Sequence, residues 1–229
     1  AGTVYILRNP GGKSCISAAA GTKLTLSGQV SISTEPNEAP VNQFENLYLE
    51  GAGDIDITRI TGNGMDGAGG YILGHADVVM DGTGTLTLTG NNTYSGRMIV
   101  NSGVVSINSD AKLGAIPANA TAGRIVLNGG ALLCSSSFTI DANRGIALGP
   151  LQGAGTGTVN VAATKTVDYA GIIADNTSAT GGLKKAGTGT LELTGASTYT
   201  GETVVDAGTL RVNNTTGSAT GTGKVTVGS

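Results

Sequence analysis

The chain repeats itself. Residues 82–108 (GTGTLTLTGNNTYSGRMIVNSGVVSIN) align without a gap to residues 187–213 (GTGTLELTGASTYTGETVVDAGTLRVN), 105 positions further on, and 14 of the 27 positions are identical. A unit this short cannot bury an apolar face by itself, so it must stack on neighbours. Weaker echoes lie at residues 21–28 (GTKLTLSG) and 221–227 (GTGKVTV). The fold is therefore an array of similar units.

Inside each copy the period is two. Residues 85–89 (TLTLT) alternate polar and apolar side chains, as do 104–107, 191–193 and 210–212. Such alternation is the mark of a strand with one buried face. Further short runs of strand type are 4–7, 30–33, 55–60, 78–80, 125–127, 131–134, 138–140, 158–161 and 167–173, most of them bounded by Gly, Asn or Asp. The best helical candidates, 17–20 and 109–113, are one turn each. About twenty short strands make the chain all-β.

Composition selects among the all-β arrays. Aromatic residues are 3% of the 229 and Trp is absent, which is too few for propeller blades or for the core of a sandwich of this size. Gly is 39 residues, without a three-residue period and with only 5 Pro, so the chain is not collagen-like. Small corner residues with Val, Ile, Leu, Ala and Thr inside suit a single-stranded parallel β-helix, a β-solenoid, with Thr and Asn stacked between coils. At three strands per coil the expectation is about seven or eight coils and a rod of roughly 35–40 Å. Residues 34–43, 62–70 and 115–123 break the alternation and are predicted to be loops. No shift of composition marks a boundary, so residues 1–229 read as one continuous solenoid, less regular over 1–81.

The skeleton G-T-G-T-L-x-L-T-G-x-x-T-Y-[ST]-G in both copies, introduced by residues 181–187 (GGLKKAG) before the second, resembles the autotransporter-associated β-strand repeat of bacterial surface proteins. Residues 113–114 and 125–133 (IVLNGGALL) resemble the linking strands between such repeats. The resemblance implies a right-handed parallel β-helix exported to the bacterial outer surface, in which repeats build a stalk. It implies no activity. No C-terminal membrane barrel is expected within these 229 residues, and residues 224–229 (KVTVGS) are expected to stop within a further coil. The expectation is that either the polypeptide continues or another molecule completes that coil.

The residues that carry chemistry are few. His75 is the one histidine, no G-x-S-x-G elbow is present, and His75 reads as a surface or corner residue. Asp54 and Asp56, two apart, share one strand face; Arg59 faces the other way if the strand stays regular; Asp77 and Asp81 fall one coil later. That set is where a weak calcium site or a carbohydrate-cleaving carboxylate pair would sit, against the plainer reading of a solvated face. Tyr94 and Tyr199 occupy the same repeat position and are expected to pack at a corner rather than to offer a sugar platform. Lys184-Lys185 is too short for a basic patch, and the GTGT runs lack the Lys and helix of a phosphate loop. Cys15 and Cys134 lie about five coils apart on a regular rod, too far for a disulfide, which leaves Cys15 for another molecule. No catalytic, cofactor-binding or metal-binding residue is assigned.

The functional expectation is a structural, non-enzymatic cell-surface segment: the stalk or passenger of an adhesin. The alternatives are a subunit stacking end to end into an extracellular filament and, third, a carbohydrate-active enzyme. The partners expected are host or neighbouring-cell surface molecules, or copies of the chain through its solenoid ends. Nucleic acid is excluded by a net charge of −3 with 13 scattered basic residues, and membrane insertion by the lack of a long apolar run.

Overall fold

The computed structural model describes residues 4–6, 14–32, 46–62 and 77–228. Within them the chain forms strands and a single 3-10 turn, and all strand pairs are parallel. The strands fall in three sheets, and within each the order follows the sequence. The first sheet runs β1 (Val4–Ile6), β3 (Lys23–Ile32), β5 (Asp54–Gly62), β7 (Thr85–Leu88), β9 (Val104–Ile107), β11 (Ala131–Cys134), β14 (Gln152–Val161), β17 (Ser178–Ala186), β19 (Thr203–Val205) and β21 (Val225–Val227). The second holds β2 (Ser14–Ala18), β4 (Leu47–Gly51), β6 (Val78–Met80), β8 (Met98–Val100), β10 (Thr121–Leu127), β13 (Arg144–Leu148) and β16 (Ile173–Asp175). The third holds β12 (Phe138–Ile140), β15 (Thr166–Tyr169), β18 (Thr190–Leu193) and β20 (Thr209–Val212). An all-parallel, sequence-ordered stack of this kind is compatible with the β-solenoid expected from the sequence.

The expectation of three strands per coil holds only in the middle. From β1 to β11 the chain alternates between the first and second sheets; from β11 to β18 it visits all three; from β18 to β21 it alternates between the third and the first. The two repeat copies therefore sit at different faces. Thr85–Leu88 of the first copy lies in the first sheet, whereas Thr190–Leu193 of the second lies in the third. What the copies share is local: in each, a strand pairs with one 19 residues later, Leu86 with Val105 and Leu191 with Leu210. A spacing of 19 has room for two short strands and their corners; the middle, where Leu132 pairs with Val159, has room for three.

Inward side chains stack in register from strand to strand. In the second sheet Leu47, Val78, Met98, Ile125, Ile146 and Ile173 follow one another, all at most 2% exposed. In the first, Ile55, Leu86, Val105, Leu132 and Val159 do the same, and Lys185 and Val205 continue that row. Each buried Leu or Ile contributes about 1.5–3 kcal/mol, which is the main force holding the stack. Polar side chains ladder where the second sheet turns out. Asn101 Nδ2 donates to Asp81 Oδ1 at 2.7 Å, and Asn128 Nδ2 donates to Asn101 Oδ1 at 3.0 Å. One step beyond Gly149, Asn176 Nδ2 reaches the Gly149 carbonyl at 3.0 Å.

Two glycines of the repeat are required by geometry. Gly103 has φ +62, and a Cβ there would lie 2.4 and 2.5 Å from the carbonyl oxygens of Gly82 and Gly84. Gly208, its counterpart, has φ +69 and the same two contacts with Gly189 and Gly187. Left-handed backbone costs about 1–2 kcal/mol for an L-residue, and carbonyl oxygens cannot move aside cheaply. Gly103→Ala is expected to cost roughly 2–3 kcal/mol in a urea melt. A loss below about 0.5 kcal/mol would show that the turn rearranges freely.

Several local expectations are corrected. Residues 17–20 do not make a helical turn; Ser14–Ala18 is strand, because pairing with Leu47–Gly51 buries Ser14 and Ala18. Residues 167–173 are two strands, not one, split at Gly171, where a Cβ would lie 2.4 Å from the Tyr169 hydroxyl. The predicted turn at 109–113 is present as the 3-10 helix Asp110–Leu113. The expected loops at 34–43 and 62–70 lie almost wholly outside the described residues; the third is present over 115–120, while 121–123 belong to the strand Thr121–Leu127, which pairs with Arg144–Leu148.

Candidate functional site

The carboxylates do not converge. Asp56 pairs with Lys23 Nζ at 2.6 Å, while Asp54 Oδ1 accepts the Thr85 amide at 2.9 Å. The hydrogen bond to Asp56, then its charge, raises the Lys23 ammonium above its ordinary value. Arg59 is exposed on the side of Asp54, not opposite it, because the strand does not stay regular: the register slips between Leu26 and Gln29, and Ile60 rather than Arg59 turns inward. Asp77 and Asp81 flank β6 in the second sheet and do not join Asp54 and Asp56 in the first. Asp77, 7% exposed, accepts Arg97 Nε at 3.0 Å and its terminal nitrogen at 2.7 Å; Asp81 accepts Asn101. Among the described residues no three His, Cys, Asp or Glu side chains are grouped to hold a metal. His75 lies outside the described residues.

Tyr94 and Tyr199 are both 0% exposed, which matches packing at a corner and leaves no ring free for a sugar. The Tyr199 hydroxyl meets Thr203 Oγ1 at 2.5 Å, whereas the Tyr94 hydroxyl is buried and has no hydrogen-bond partner among the described residues. The repeat also reuses a backbone clamp. Asn92 Oδ1 accepts the Ile60 amide at 2.6 Å, and Ser197 Oγ, 105 positions on, accepts the Ile173 amide at 3.4 Å. Lys184 and Lys185 part company. Lys184 points out to Asp206 at 3.1 Å; Lys185 is buried, with Nζ on the carbonyls of Ala186, Gly187 and Ala207 at 2.8, 2.7 and 3.1 Å.

The densest polar cluster is one the sequence did not single out. Arg144 opens β13 and is 0% exposed. Its Nε meets Asp110 Oδ1 at 2.9 Å, and its terminal nitrogens reach the carbonyls of Leu113 at 2.8 Å and Gly114 at 2.7 Å. Asn143 Nδ2 adds a bond to the Pro117 carbonyl at 2.9 Å. Together these hold the third loop from beneath. Arg124, half-buried, reaches the same loop through Ala115 and crosses to the Ser95 carbonyl. Nothing in residues 141–148 (DANRGIAL) marks Arg144 as internal except that it stands directly before an apolar run.

Both cysteines are free. Cys15 is four strand steps from the coil of Cys134, through Tyr48, Val79, Ile99 and Val126, which is about 19 Å. Cys134 is buried, and burial pushes its thiol up to about 12. An alkylating reagent at pH 8 should therefore modify Cys15 alone in the folded chain and both after unfolding, read as one and two mass increments. Two native increments would place Cys134 at the surface.

Comparison with known proteins agrees with this geometry. Residues 78–107 and 183–212 match the passenger-associated transport repeat family, again 105 positions apart. The chain is also similar to the adhesin BmaC autotransporter of Brucella suis biovar 1 (strain 1330), 39% identical over 173 residues, which is 72% of this chain. It spans 5% of that adhesin's length. No solved structure matches it. No helix among the described residues is long and apolar enough to cross a membrane. These likenesses identify two passenger-type repeats in the chain and place it outside the cell, at the bacterial surface.

Proposed function

We propose that the chain is a structural passenger segment of an autotransporter-like adhesin: one continuous right-handed β-helix that serves as stalk and carries adhesive loops, without enzymatic activity. The observation that carries this reading is the use of the repeat. Its glycines, its buried tyrosine and its Asn92 or Ser197 clamp all serve contacts between neighbouring turns of chain. The carboxylates that a polysaccharide-cleaving enzyme would need are instead tied to Lys23, Thr85, Arg97 and Asn101. The end-to-end filament gains no support from the relatives.

The partners of this reading are surface molecules of host or neighbouring cells. The test uses the whole surface protein displayed on its own bacterium. Deleting residues 77–228 in frame should leave the protein exported and should weaken adhesion to host cells or to sister cells. Full adhesion by a strain that displays the deleted protein at normal density would overturn the reading. So would turnover of an acidic polysaccharide by the purified chain that is lost in Asp54→Ala.

A further inference from the structure

The third loop walls a cavity of about 230 Å³ lined by Ser95, Ala115, Ile116, Pro117, Thr121 and Arg124. Arg124 is the one charged residue of that lining. Two of its nitrogens donate to the Ser95 and Ala115 carbonyls, while Nε is buried without a partner among the described residues. Among the described residues no carboxylate pairs with it: the nearby acids are taken, Asp77 by Arg97 and Asp110 by Arg144. Burial, and then the positive charge of Arg144, disfavour the charge on Arg124, and a bound anion would relieve both. The rest of the lining is two hydroxyl residues and the apolar surfaces of Pro117 and Ile116, the latter 53% exposed. The walls are fixed beforehand. The Pro117 carbonyl is held by Asn143, the Asn119 carbonyl by Thr121 Oγ1 at 2.9 Å, and the Ala115 carbonyl by Arg144 at 3.2 Å.

We propose that this cavity binds a carboxylate borne on a single sugar ring, that is, an acidic sugar. A guanidinium offers paired donors that match the two oxygens of a carboxylate, and each terminal nitrogen of Arg124 keeps a second N–H beyond its carbonyl bond. A doubly charged phosphate would call for a second free cation, and Arg144 is already committed to Asp110. Ile116 and Pro117 suit the C–H face of a ring, and Thr121 still has an oxygen to accept from a ring hydroxyl. The volume is below the range of about 300–1,000 Å³ for larger ligands, so one ring fills it. The site adds a ligand to the surface role proposed above but does not rest on it.

The test is an amide-resolved NMR titration of the purified chain with D-glucuronate as probe. Saturable shifts are expected at Ser95 and across 115–124, with a dissociation constant on the order of 1 mM. Glucose, which lacks the carboxylate, acetate, which lacks the ring, and N-acetylaspartate, which carries its carboxylates on a peptide-like chain, should each bind at least about tenfold more weakly. Arg124→Gln should weaken glucuronate at least about tenfold, and Arg124→Lys, which keeps the charge but not the fork, by less. Ile116→Ser changes only the exposed rim and should weaken binding about threefold while the fold is unaltered, which keeps the proposal testable should Arg124→Gln disturb the loop. No saturable shift with glucuronate, or equal binding of glucose, acetate or N-acetylaspartate, would overturn it. The titration reads the cavity alone and the deletion on cells reads the surface role, so either can fail without the other.

Discussion

Arg144→Leu is expected to lower the unfolding free energy by roughly 4 kcal/mol, because removing one partner of a buried pair leaves the other charged and uncompensated. The stranded group is the Asp110 carboxylate, whose side chain is 15% exposed. The carbonyls of Leu113 and Gly114 also lose their donors, and each unsatisfied buried acceptor costs about 1–3 kcal/mol. The leucine fills part of the space and adds apolar burial, which offsets some of that loss. Two companion variants separate the causes. Arg144→Lys keeps a charge for Asp110 but not the fork to the carbonyls, and should lose about half as much. Adding Asp110→Asn to Arg144→Leu removes the stranded charge and should restore about 1–2 kcal/mol; Asp110 also accepts the Asp141 amide at 3.1 Å, and asparagine can still serve that bond. Urea midpoints followed by circular dichroism read all three. A loss below about 1 kcal/mol for Arg144→Leu would mean that water replaces the guanidinium and that the cluster does not hold the loop.

The sequence made the architecture legible because the architecture is local. Period-two runs such as Thr85–Leu88 and Ala131–Cys134 bury one face, and the structure places Leu86, Leu88, Leu132 and Cys134 inside, as their spacing requires. The repeat announced stacking, and its corner tyrosines and Asn ladders appear as expected. What the sequence did not reveal is which sheet each strand joins. That depends on how many residues lie between corners, and two similar motifs therefore ended in different sheets. Short strands such as Met98–Val100, Thr203–Val205 and Val225–Val227 carry too few residues to show a period, and pairing with neighbours decides them. The buried charges were illegible for a different reason. A lone Arg in a polar turn is usually exposed, and only the return of Asp110, 34 positions earlier, to the same place makes Arg144 internal. Lys185 is the clearest case: parity alone puts it inward after Leu183, but its charge argues for outward, and the carbonyls of Ala186 and Gly187 beside it and of Ala207 one turn on decide in favour of parity.

Raising the pH should unfold this chain well before its surface charge alone would do so. Cys134, Tyr94, Tyr169 and Tyr199 are buried, and desolvation raises the pKa of each above its ordinary value, Cys134 to about 12. The protonated, neutral form of each is the one the core accepts. Below the unfolded-state values, near 8.5 for a thiol and 10 for a phenol, both states hold the proton and nothing is lost. Above them the unfolded chain releases the proton while the folded chain keeps it, so stability falls by up to about 1.4 kcal/mol per group and pH unit, until the folded value is passed. For Cys134 that window runs from about 9 to about 12; for the tyrosines it opens near 10. Burial lowers Lys185, an effect of opposite sign, though its three carbonyl acceptors favour the charged form and limit it. At pH 11 the net loss should be on the order of 5 kcal/mol relative to pH 8, measured as a falling urea midpoint. Tyr94→Phe isolates one contribution. Its hydroxyl has no partner among the described residues, so the variant should be as stable as the parent at pH 7, or more so, and should lose about 1.4 kcal/mol less by pH 11. Cys134→Ala should flatten the curve between pH 9 and 10, at the cost of a small cavity at neutral pH. A urea midpoint unchanged from pH 8 to pH 11 would show that these groups meet water in the folded chain, and that the stack of coils is looser than its in-register core implies.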